Sequence, residues 1–369
     1  MISRRCENPI IGPRPSNDWE SKATFNPAIV EMNNKIHILY RAIGDRDVSN
    51  IGYATSEDGV NIDERLDYPV YIQRETFEGA PQGWRRKFYC ISPYMSGGGG
   101  YGGCEDPKAT VIDGKVYMTY VAYDGWSPPR LAMTHIKIED FLNKRWTWSS
   151  PVLISKPNMV SKSGAILPEK IDGKYVIFHR VFPDILIDFV DSLEDFDGKT
   201  KWLSIEGAKK ISPRKGKWDA GKLSVGAPPI KTKDGWLVIY HATTGLQEIP
   251  GSDLRYKVGA MLLDAKDPSK VLCRTEEPIL VPETYYENEG WKYGIAYPCG
   301  AAILDDRLMV YYGGSDEFVC VAEANLDEFL DKLKKNMKVE LKSKKPIKNK
   351  KYESKKISKQ SNSRTRQRK

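Results

Sequence analysis

The sequence predicts an all-β fold: a five-bladed β-propeller with a short C-terminal helix and a disordered basic tail. Three observations carry this prediction. A run of strand-forming residues recurs five times, each copy begins with a two-residue turn signal, and the copies lie roughly 60 to 80 residues apart. That spacing accommodates a four-stranded sheet with its loops, and radial repetition of such sheets builds a propeller. A β-sandwich with five unrelated hairpins is the alternative.

Each copy joins a turn dipeptide to a run rich in Val, Ile and Tyr. The five copies are NNKIHILYRA (33–42), DGKVYMTYVA (113–122), DGKYVIFHRV (172–181), DGWLVIYHAT (234–243) and DDRLMVYYGG (305–314). A proline-containing segment precedes each turn, so each copy is predicted to form a strand, a tight turn and a second strand. These segments are FNPAIVEM, EDPKATVI, LPEKI, APPIKTK and YPCGAAIL. We expect hairpin turns at 33–34, 113–114, 172–173, 234–235 and 305–306.

The folded domain is predicted to end in a helix. In LDEFLDKLKKN (326–336), the apolar residues follow the i, i+3, i+4, i+7 spacing of an amphipathic helix. From position 332 to 369 the chain holds 17 Lys and Arg against 2 Asp and Glu, whereas the preceding residues have a net charge of −7. The sequence therefore divides into a folded domain, 1–337, and a Lys/Arg-rich disordered tail, 338–369. The tail either binds polyanions non-specifically or is a solubilising extension.

Several classes of protein are disfavoured by the sequence. No apolar run approaches the roughly 20 residues that cross a bilayer, and no signal-peptide core is recognisable, so a cytoplasmic protein without a membrane span is expected. The six cysteines are scattered without a CxxC pair, which indicates reduced thiols. The four histidines show no tight ligand spacing, so no metal site is expected. A homo-oligomer is compatible with the sequence.

The predicted register places an acid opposite several cations. If the first strand of each blade lines a central channel, the residue before each proline lies at its mouth. These residues are Asn26, Asp106, Leu167, Ala227 and Tyr297, of which only Asp106 is ionisable. The second strands end near Arg41, Arg180, His241 and Asp316. A structural core disfavours such a composition, so it indicates an anion-binding or catalytic site. Taken singly, each could instead be a turn cap or an exposed side chain.

A glycine-rich segment, SGGGGYGGCEDPK (96–108), precedes Asp106. It lacks the GK[ST] sequence of a phosphate-binding loop, and no helical pattern follows it. Glycine lets a backbone approach a ligand closely, which favours a flexible lid beside the acid. A disordered insertion is the equally weighted alternative.

These segments together resemble glycoside hydrolase family 130. The resemblance rests on FNPAIV and LYRAIG, GCEDPKAT, LPEKIDGKYV with FHR, WDAGKLSVGAPPIKT with IYHA, and YPCGAAI with YYGGSD, in this order between about residues 8 and 335. It implies an inverting β-mannoside phosphorylase, or one of the family's hydrolases, on a five-bladed β-propeller. The tail lies outside the resemblance.

The resemblance also implies roles for individual residues. Asp106 would be the general acid, which protonates the glycosidic oxygen through the 3-hydroxyl of the mannose. The residues implied in phosphate binding are Arg180, Lys222 and His241. The residues expected to bind the sugar are Arg41 and Asp316, together with Asn26, Glu105 and Lys108 around the acid.

The chain departs from the family pattern at three places. Lys108 stands where the family usually has an arginine, and Val160 and Ser161 stand where many phosphorylases have an Arg-Asn pair. Lys162 is the candidate replacement for this pair in phosphate binding. The stretch 73–103 is longer than the family norm, which is expected to reshape the acceptor subsite.

The sequence thus predicts cleavage of a β-mannoside by inorganic phosphate to give α-mannose 1-phosphate, with no cofactor beyond phosphate as co-substrate. A hydrolase needs a second carboxylate to activate water. A phosphorylase needs cations instead, because its nucleophile is already an anion. An inverting β-mannoside hydrolase is the first alternative, and a non-catalytic sugar-binding propeller is the second. The folded part carries no nucleic-acid recognition motif.

Overall fold

Antiparallel β-strands build most of the regular structure in the computed structural model, which describes residues 2–79, 97–246, 249 and 251–335. The α-helices of these residues are α1 (Ile138–Leu142), α2 (Tyr285–Asn288) and α3 (Leu326–Lys334). Short 3₁₀ turns lie at Thr76–Glu78, Gly97–Gly99 and Leu193–Asp195. The all-β prediction is therefore confirmed.

The described strands form five antiparallel units, which follow one another along the chain after the N-terminal strand β1 (Ser3–Arg4). Unit 1 comprises β2 (Ala23–Met32), β3 (Lys35–Ile43), β4 (Ser49–Ser56) and β5 (Glu64–Arg65). Unit 2 comprises β6 (Gly103–Ile112), β7 (Lys115–Tyr123), β8 (Arg130–Lys137) and β9 (Val152–Leu153). Unit 3 comprises β10 (Lys162–Ile166), β11 (Tyr175–Val181), β12 (Asp184–Val190) and β13 (Lys209–Ile211).

The last two units complete the arrangement. Unit 4 comprises β14 (Lys222–Val225), β15 (Ile230–Thr232), β16 (Gly235–Thr243), β17 (Lys257–Leu263) and β18 (Val271–Arg274). Unit 5 comprises β19 (Ala296–Leu304), β20 (Arg307–Gly314) and β21 (Phe318–Asn325), and β1 pairs with β21 as its outer strand. The N-terminal strand therefore covers the edge that unit 5 would otherwise leave open.

Contacts between strands link neighbouring units in their order along the chain. Strand β2 contacts β6, β6 contacts β10, and β10 contacts β14. Strand β19 contacts both β16 of unit 4 and β2 of unit 1. A single parallel pair between Ser49 and Gly103 also joins units 1 and 2 into one sheet. The contacts thus run through all five units and return to the first.

The predicted hairpin turns at 33–34, 113–114, 172–173 and 305–306 are confirmed. The fourth turn lies at 233–234, one residue before the predicted position, because Gly235 is already the first residue of β16 and pairs with Thr232. A Cβ on Gly235 would lie 2.2 Å from the carbonyl oxygen of Leu263. Glycine is therefore favoured here both by the close approach of the neighbouring strand and by its own φ of 133°.

A tyrosine on the second long strand of four units donates its hydroxyl to a buried carboxylate. Each carboxylate lies in the segment that leads into the first strand of its own unit, so the contact ties that segment to the middle of the sheet. The pairs are Tyr40 with Glu20 at 2.8 Å, Tyr120 with Glu78, Tyr240 with Asp219 at 2.9 Å, and Tyr312 with Glu287 at 2.8 Å. In unit 3, His179 occupies the equivalent position, and burial lowers its pKa to about 4.

Helix α3 lies within the segment that the sequence predicts to be helical. The side chain of Asn325 caps its first turn by accepting a hydrogen bond of 3.0 Å from the backbone N–H of Glu328. The predicted apolar face is confirmed, because Phe329, Leu330 and Leu333 pack into the core cluster shared by units 4 and 5. The predicted disordered tail, 338–369, lies outside the described residues.

Candidate active site

The first strands of units 1 and 2 each contain a β-bulge, and these bulges carry one half of the site. We call this half the acidic side, because it contains Asp106. The pairing of β2 with β3 shifts register between Phe25 and Ala28, and that of β6 with β7 shifts between Glu105 and Lys108. Asn26 and Asp106 occupy these bulges with φ of 49° and 51°. Asn and Asp tolerate such a backbone better than other side chains, and a bulge redirects the side chain it carries. The Asn-Pro and Asp-Pro pairs therefore form matching features on neighbouring strands.

Asp106 is held by two donors on the same oxygen. Its Oδ1 accepts a hydrogen bond of 2.7 Å from Nδ2 of Asn26 and one of 2.9 Å from Nη1 of Arg41. Burial by itself would raise the pKa of this carboxyl, but the charge of Arg41 and the Asn26 hydrogen bond hold it below its ordinary value. The structure thus places two of the predicted residues, Asn26 and Arg41, around the Asp106 carboxyl, whose lowered pKa favours its ionised form.

Arg41 organises the surrounding side chains. Besides Asp106, its guanidinium donates to Ser49 Oγ at 2.9 Å, to the Gly97 carbonyl at 3.0 Å and to Glu105 Oε1 at 3.2 Å. It also lies 4.7 Å from the ring centroid of Phe25. Because Arg41 is only 1% exposed, these contacts fix its position against the acid.

The two lysines beside the acid have different surroundings. Lys162 Nζ lies 3.8 Å from Glu105 Oε2, so its charge is directed towards the acidic side of the site. Lys108 is buried at the end of the bulge that holds Asp106, and its Nζ lies 3.6 Å from Sγ of Cys299. The charge of Lys108 acts on both Asp106 and His241. Its charge therefore influences both the acid and the histidine of the group described below.

The pKa of Asp316 is shifted upwards, whereas that of Asp106 is shifted downwards. Burial raises its pKa and the charge of Asp106 raises it further, against the opposing charges of Lys292 and Arg41. The glycine-rich segment lies over it, since a Cβ on Gly97 would be 2.7 Å from Asp316 Oδ2. Part of the predicted lid, from position 97 onwards, therefore packs directly against the site, whereas position 96 lies outside the described residues.

A second group of predicted residues forms a cationic side. Strand pairing places Lys162 opposite Arg180 and Ser224 opposite His241, and Arg180 Nη1 donates to Ser224 Oγ at 3.4 Å. His241 is only 1% exposed, and neither ring nitrogen has a hydrogen-bond partner among the described residues. Burial lowers the pKa of His241, and the charges of Lys108, Arg180 and Lys222 lower it further. Its neutral ring therefore has two polar atoms available to a ligand.

Tyr256 completes this side and was missed by the sequence reasoning. Lys222 Nζ lies 2.5 Å from its hydroxyl and 4.6 Å from its ring centroid. Burial alone would raise the pKa of Tyr256, but the charges of Lys222, Lys292 and Arg180 lower it to about 8. Burial also lowers the pKa of Lys222. We call Arg180, Lys222, His241 and Tyr256 the cationic cluster.

Tyr297 connects the two sides. Its ring centroid lies 4.0 Å from that of His241, and its hydroxyl lies 3.2 Å from Oγ of Ser163. Tyr297 thus lies beside His241 and Ser163, whereas Leu167, another residue predicted to line the channel, does not lie in the bulge of its strand. Leu167 packs in an apolar cluster, and the bulge of β10 lies earlier, between Lys162 and Ala165, with Ser163 at φ 55°. Ala227 is buried just beyond the end of β14, and its place at a channel mouth stays a prediction.

Other features of the described residues bear on cofactors and membranes. Within residues 2–79, 97–246, 249 and 251–335, no cluster of three His, Cys, Asp or Glu side chains is arranged to hold a metal ion. In the same ranges, no helix is long and apolar enough to cross a membrane. The five described cysteines are all free thiols, three of them buried.

Comparison with known proteins identifies the family. The family model described as β-1,4-mannooligosaccharide phosphorylase matches residues 95–335. The chain is 36% identical over 328 residues to a 1,2-β-oligomannan phosphorylase of Thermoanaerobacter sp. strain X514, covering 87% of this chain and 96% of that protein. A β-1,2-mannobiose phosphorylase of the same strain is also 36% identical, over 336 residues, with the same coverage of both chains.

Solved structures agree with this relationship. One was reported with the statement that the GH130 family of mannoside phosphorylases contains glycoside hydrolases that target β-1,2 mannosidic linkages in Candida mannan. It is 26% identical with a TM-score of 0.68, and the match covers 89% of this chain and 94% of that one. The fold, the matched segments and the sequence identities lead to one conclusion: the chain belongs to glycoside hydrolase family 130.

Proposed function

We propose that the protein is an inverting phosphorylase, which cleaves a β-mannoside with inorganic phosphate and releases α-mannose 1-phosphate. The observation that carries this proposal is the composition of the cationic cluster beside the buried acid. The charges that act on Lys222, His241 and Tyr256 come from lysine and arginine, apart from the phenol of Tyr256 itself. Such a group binds an anion and provides no carboxylate to deprotonate a water molecule.

Asp106 and the cationic cluster have different roles in the proposed reaction. Asp106 acts on the leaving glycosidic oxygen, through the 3-hydroxyl of the mannose as in the family resemblance. Both hydrogen bonds from Asn26 and Arg41 end on Oδ1. We therefore assign Oδ2 to the sugar hydroxyl. On the other face of the ring, phosphate bound by the cationic cluster attacks the anomeric carbon, which inverts its configuration.

The proposed reaction needs no general base, because the proton that phosphate loses equals the proton that the leaving oxygen gains. The bond from the anomeric carbon to the leaving oxygen breaks, and a bond from that carbon to a phosphate oxygen forms. The leaving oxygen gains one proton, and hydrogen phosphate loses one on becoming the sugar phosphate. Asp106 carries the proton during the exchange, so its low pKa in the free protein must rise when the anionic phosphate is bound nearby.

The remaining sugar contacts follow from the geometry of the acidic side. Arg41, Glu105 and Asp316 lie around Asp106, and Asn26 and Lys108 flank it. We propose that they bind the mannose hydroxyls. For the linkage we propose β-1,2, because the two relatives that are 36% identical to this chain are named for β-1,2 substrates. A β-1,4 linkage is the alternative, which the description of the family model favours.

An inverting hydrolase is the second candidate, and one observation favours it. Ser161 and Val160 occupy the place of the family's Arg-Asn pair, and Ser161 Oγ is buried without a hydrogen-bond partner among the described residues. Hydrolases also occur among the family's solved structures. Incubating the protein with β-1,2-mannobiose and β-1,4-mannobiose, with and without phosphate, separates the two. The proposal requires mannose 1-phosphate as product, whereas a hydrolase releases free mannose in both conditions.

We also propose that the five units form a five-bladed β-propeller with the site at one end of its central channel. The circular order of contacts among β2, β6, β10, β14, β16 and β19 supports this arrangement. The catalytic domain would span 1–337. Cytoplasmic localisation, a homo-oligomeric state and polyanion binding by the tail stay predictions of the sequence.

A further inference from the structure

Lys292 faces both sides of the site although no sequence pattern singled it out. Its Nζ lies 4.9 Å from the ring centroid of Tyr256 in the cationic cluster. After burial, its charge is the largest influence on the pKa of Asp316, and it also lowers the pKa of Tyr256 and Lys222. The ammonium group therefore lies between the sugar-binding acid and the phenol of the cluster.

The backbone around Lys292 is anchored to the site. Lys292 lies between α2 and β19, and its N–H donates a hydrogen bond of 3.0 Å to the carbonyl of Ser315, the residue before Asp316. Gly290 allows this close approach, because a Cβ there would lie 2.6 Å from Cβ of Ser315. Trp291 Nε1 also donates to the carbonyl of Lys22 at 3.3 Å. The backbone of Lys292 is therefore held next to that of Asp316.

The ammonium of Lys292 forms no direct ion pair in the described part of the chain, although its charge acts on the buried carboxyl of Asp316. Its ammonium makes no ion pair within 4.0 Å with a carboxylate of the described residues, whereas Lys162 lies against Glu105. Lys292 is exposed, so it can meet a ligand that enters from solvent. A lysine without a direct ion pair, next to a buried group of further cations, favours an anionic ligand.

We propose that Lys292 binds the phosphate co-substrate from the entrance of the site, at the boundary between the phosphate and the sugar. This inference rests on the proposed phosphorolysis and names a residue that the family pattern does not supply. The sequence favours Lys162 as the substitute for the Arg-Asn pair that Val160 and Ser161 replace, but Lys162 Nζ is directed to Glu105. Lys292 approaches the cationic cluster from the side of Tyr256 instead.

The kinetic signature of this role is a change in phosphate affinity. A lysine that contacts phosphate before and during the reaction stabilises the ground state and the transition state alike. Its removal should therefore raise the KM for phosphate with a small effect on kcat. A charge-assisted hydrogen bond contributes enough to make this change about ten- to a hundredfold.

The test uses the full chain with Lys292→Ala, Lys292→Arg and a control, Lys266→Ala. Lys266 is an exposed lysine without an ion pair among the described residues, in the loop after β17, at the opposite end of that strand from Tyr256. The KM for phosphate and the KM for mannobiose are measured separately, and the Kd of inorganic phosphate is measured by calorimetry. We expect Lys292→Ala to raise the phosphate KM and Kd about ten- to a hundredfold, Lys292→Arg to restore most of the loss, and the control to match the wild type.

Each contrary outcome has a distinct meaning. An unchanged phosphate KM and Kd in Lys292→Ala, with a wild type that requires phosphate, would overturn the role of Lys292 and leave phosphorolysis standing. A rise in the mannobiose KM alone would assign the lysine to the sugar and also overturn the proposal. A wild type whose rate ignores phosphate would contradict the proposed function itself.

Discussion

The amide of Asn26 donates a 2.7 Å hydrogen bond to Oδ1 of Asp106, across two bulges that occupy the same place on neighbouring strands. Arg41 donates to the same oxygen. The carboxyl group is thus oriented by one of its oxygens and stays available through the other. A buried acid held in this way is positioned before substrate arrives, which favours catalysis by a fixed geometry.

Asp106→Asn should lower turnover by at least about a hundredfold, since general acid catalysis typically contributes 10²–10⁴-fold. Asparagine keeps the size of the side chain and tolerates the φ of 51° at this position. The far-UV circular dichroism spectrum should therefore stay that of the wild type. Initial rates on an unactivated mannobiose give the readout, and near-normal turnover would exclude Asp106 as the acid.

Lys222→Ala and His241→Ala should each raise the KM for phosphate far more than the KM for the mannoside. A charge-assisted contact is worth roughly 1.5–3 kcal/mol, which corresponds to about ten- to a hundredfold. Lys266→Ala serves as the control for loss of a lysine charge. If instead kcat fell in both variants without any change in the phosphate KM, the cationic cluster would not be the phosphate site.

The phosphate KM should rise above about pH 8. Tyr256 has its pKa lowered to about 8, so at higher pH its phenol loses the proton that it can donate to phosphate and gains a charge that repels the anion. Deprotonation of Lys222, whose pKa is also lowered, acts in the same direction. Tyr256→Phe should bind phosphate more weakly at pH 7 and lose most of the pH dependence around 8. A variant that kept the wild-type profile would assign the transition to another group.

The buried carboxylates that accept the tyrosine hydroxyls should dominate stability. Asp219 accepts hydrogen bonds from Tyr240 at 2.9 Å and from Arg214 at 3.1 Å, and it forms an ion pair of 2.6 Å with Arg274. Asp219→Ala leaves two guanidinium groups without their common counterion, and breaking such a buried pair costs about 3–5 kcal/mol of unfolding free energy.

A matched control is Asp191→Ala, which removes a carboxylate that is 80% exposed and paired with Lys174. Exposed ion pairs contribute less than about 1 kcal/mol. Urea unfolding of the two variants should therefore differ by several-fold in lost stability. Equal losses would contradict the assignment of Asp219 as a structural anchor.

The sequence predicted the elements whose causes are local. Turn dipeptides such as those at Asn33 and Asp113 fix hairpins by their own backbone preferences, and the spacing of Phe329 and Leu330 defines one face of a helix. Asp106 was predicted at the site because it precedes the proline of its repeat, as Asn26 does, and the structure shows that both residues lie in bulges.

The features that the sequence did not reveal depend on distant contacts. Ser163 takes the bulge of unit 3 without a following proline, so Leu167 was assigned to the channel in its place. Tyr256 directly precedes β17, whereas the repeat covers only the segments on either side of the turn that leads into β16. Each tyrosine-bound carboxylate lies in a connecting segment about 20 to 40 residues before its partner, as Glu20 does for Tyr40, and no spacing rule connects them.

The central claim is that phosphate is the nucleophile, and a titration of the wild-type protein with phosphate tests it most directly. The protein is incubated with mannobiose at phosphate concentrations from zero to tens of millimolar, and mannose and mannose 1-phosphate are quantified separately. The cationic cluster predicts a rate that rises from near zero and saturates, with mannose 1-phosphate as the product. A constant rate with free mannose as the product would contradict the account and identify a hydrolase.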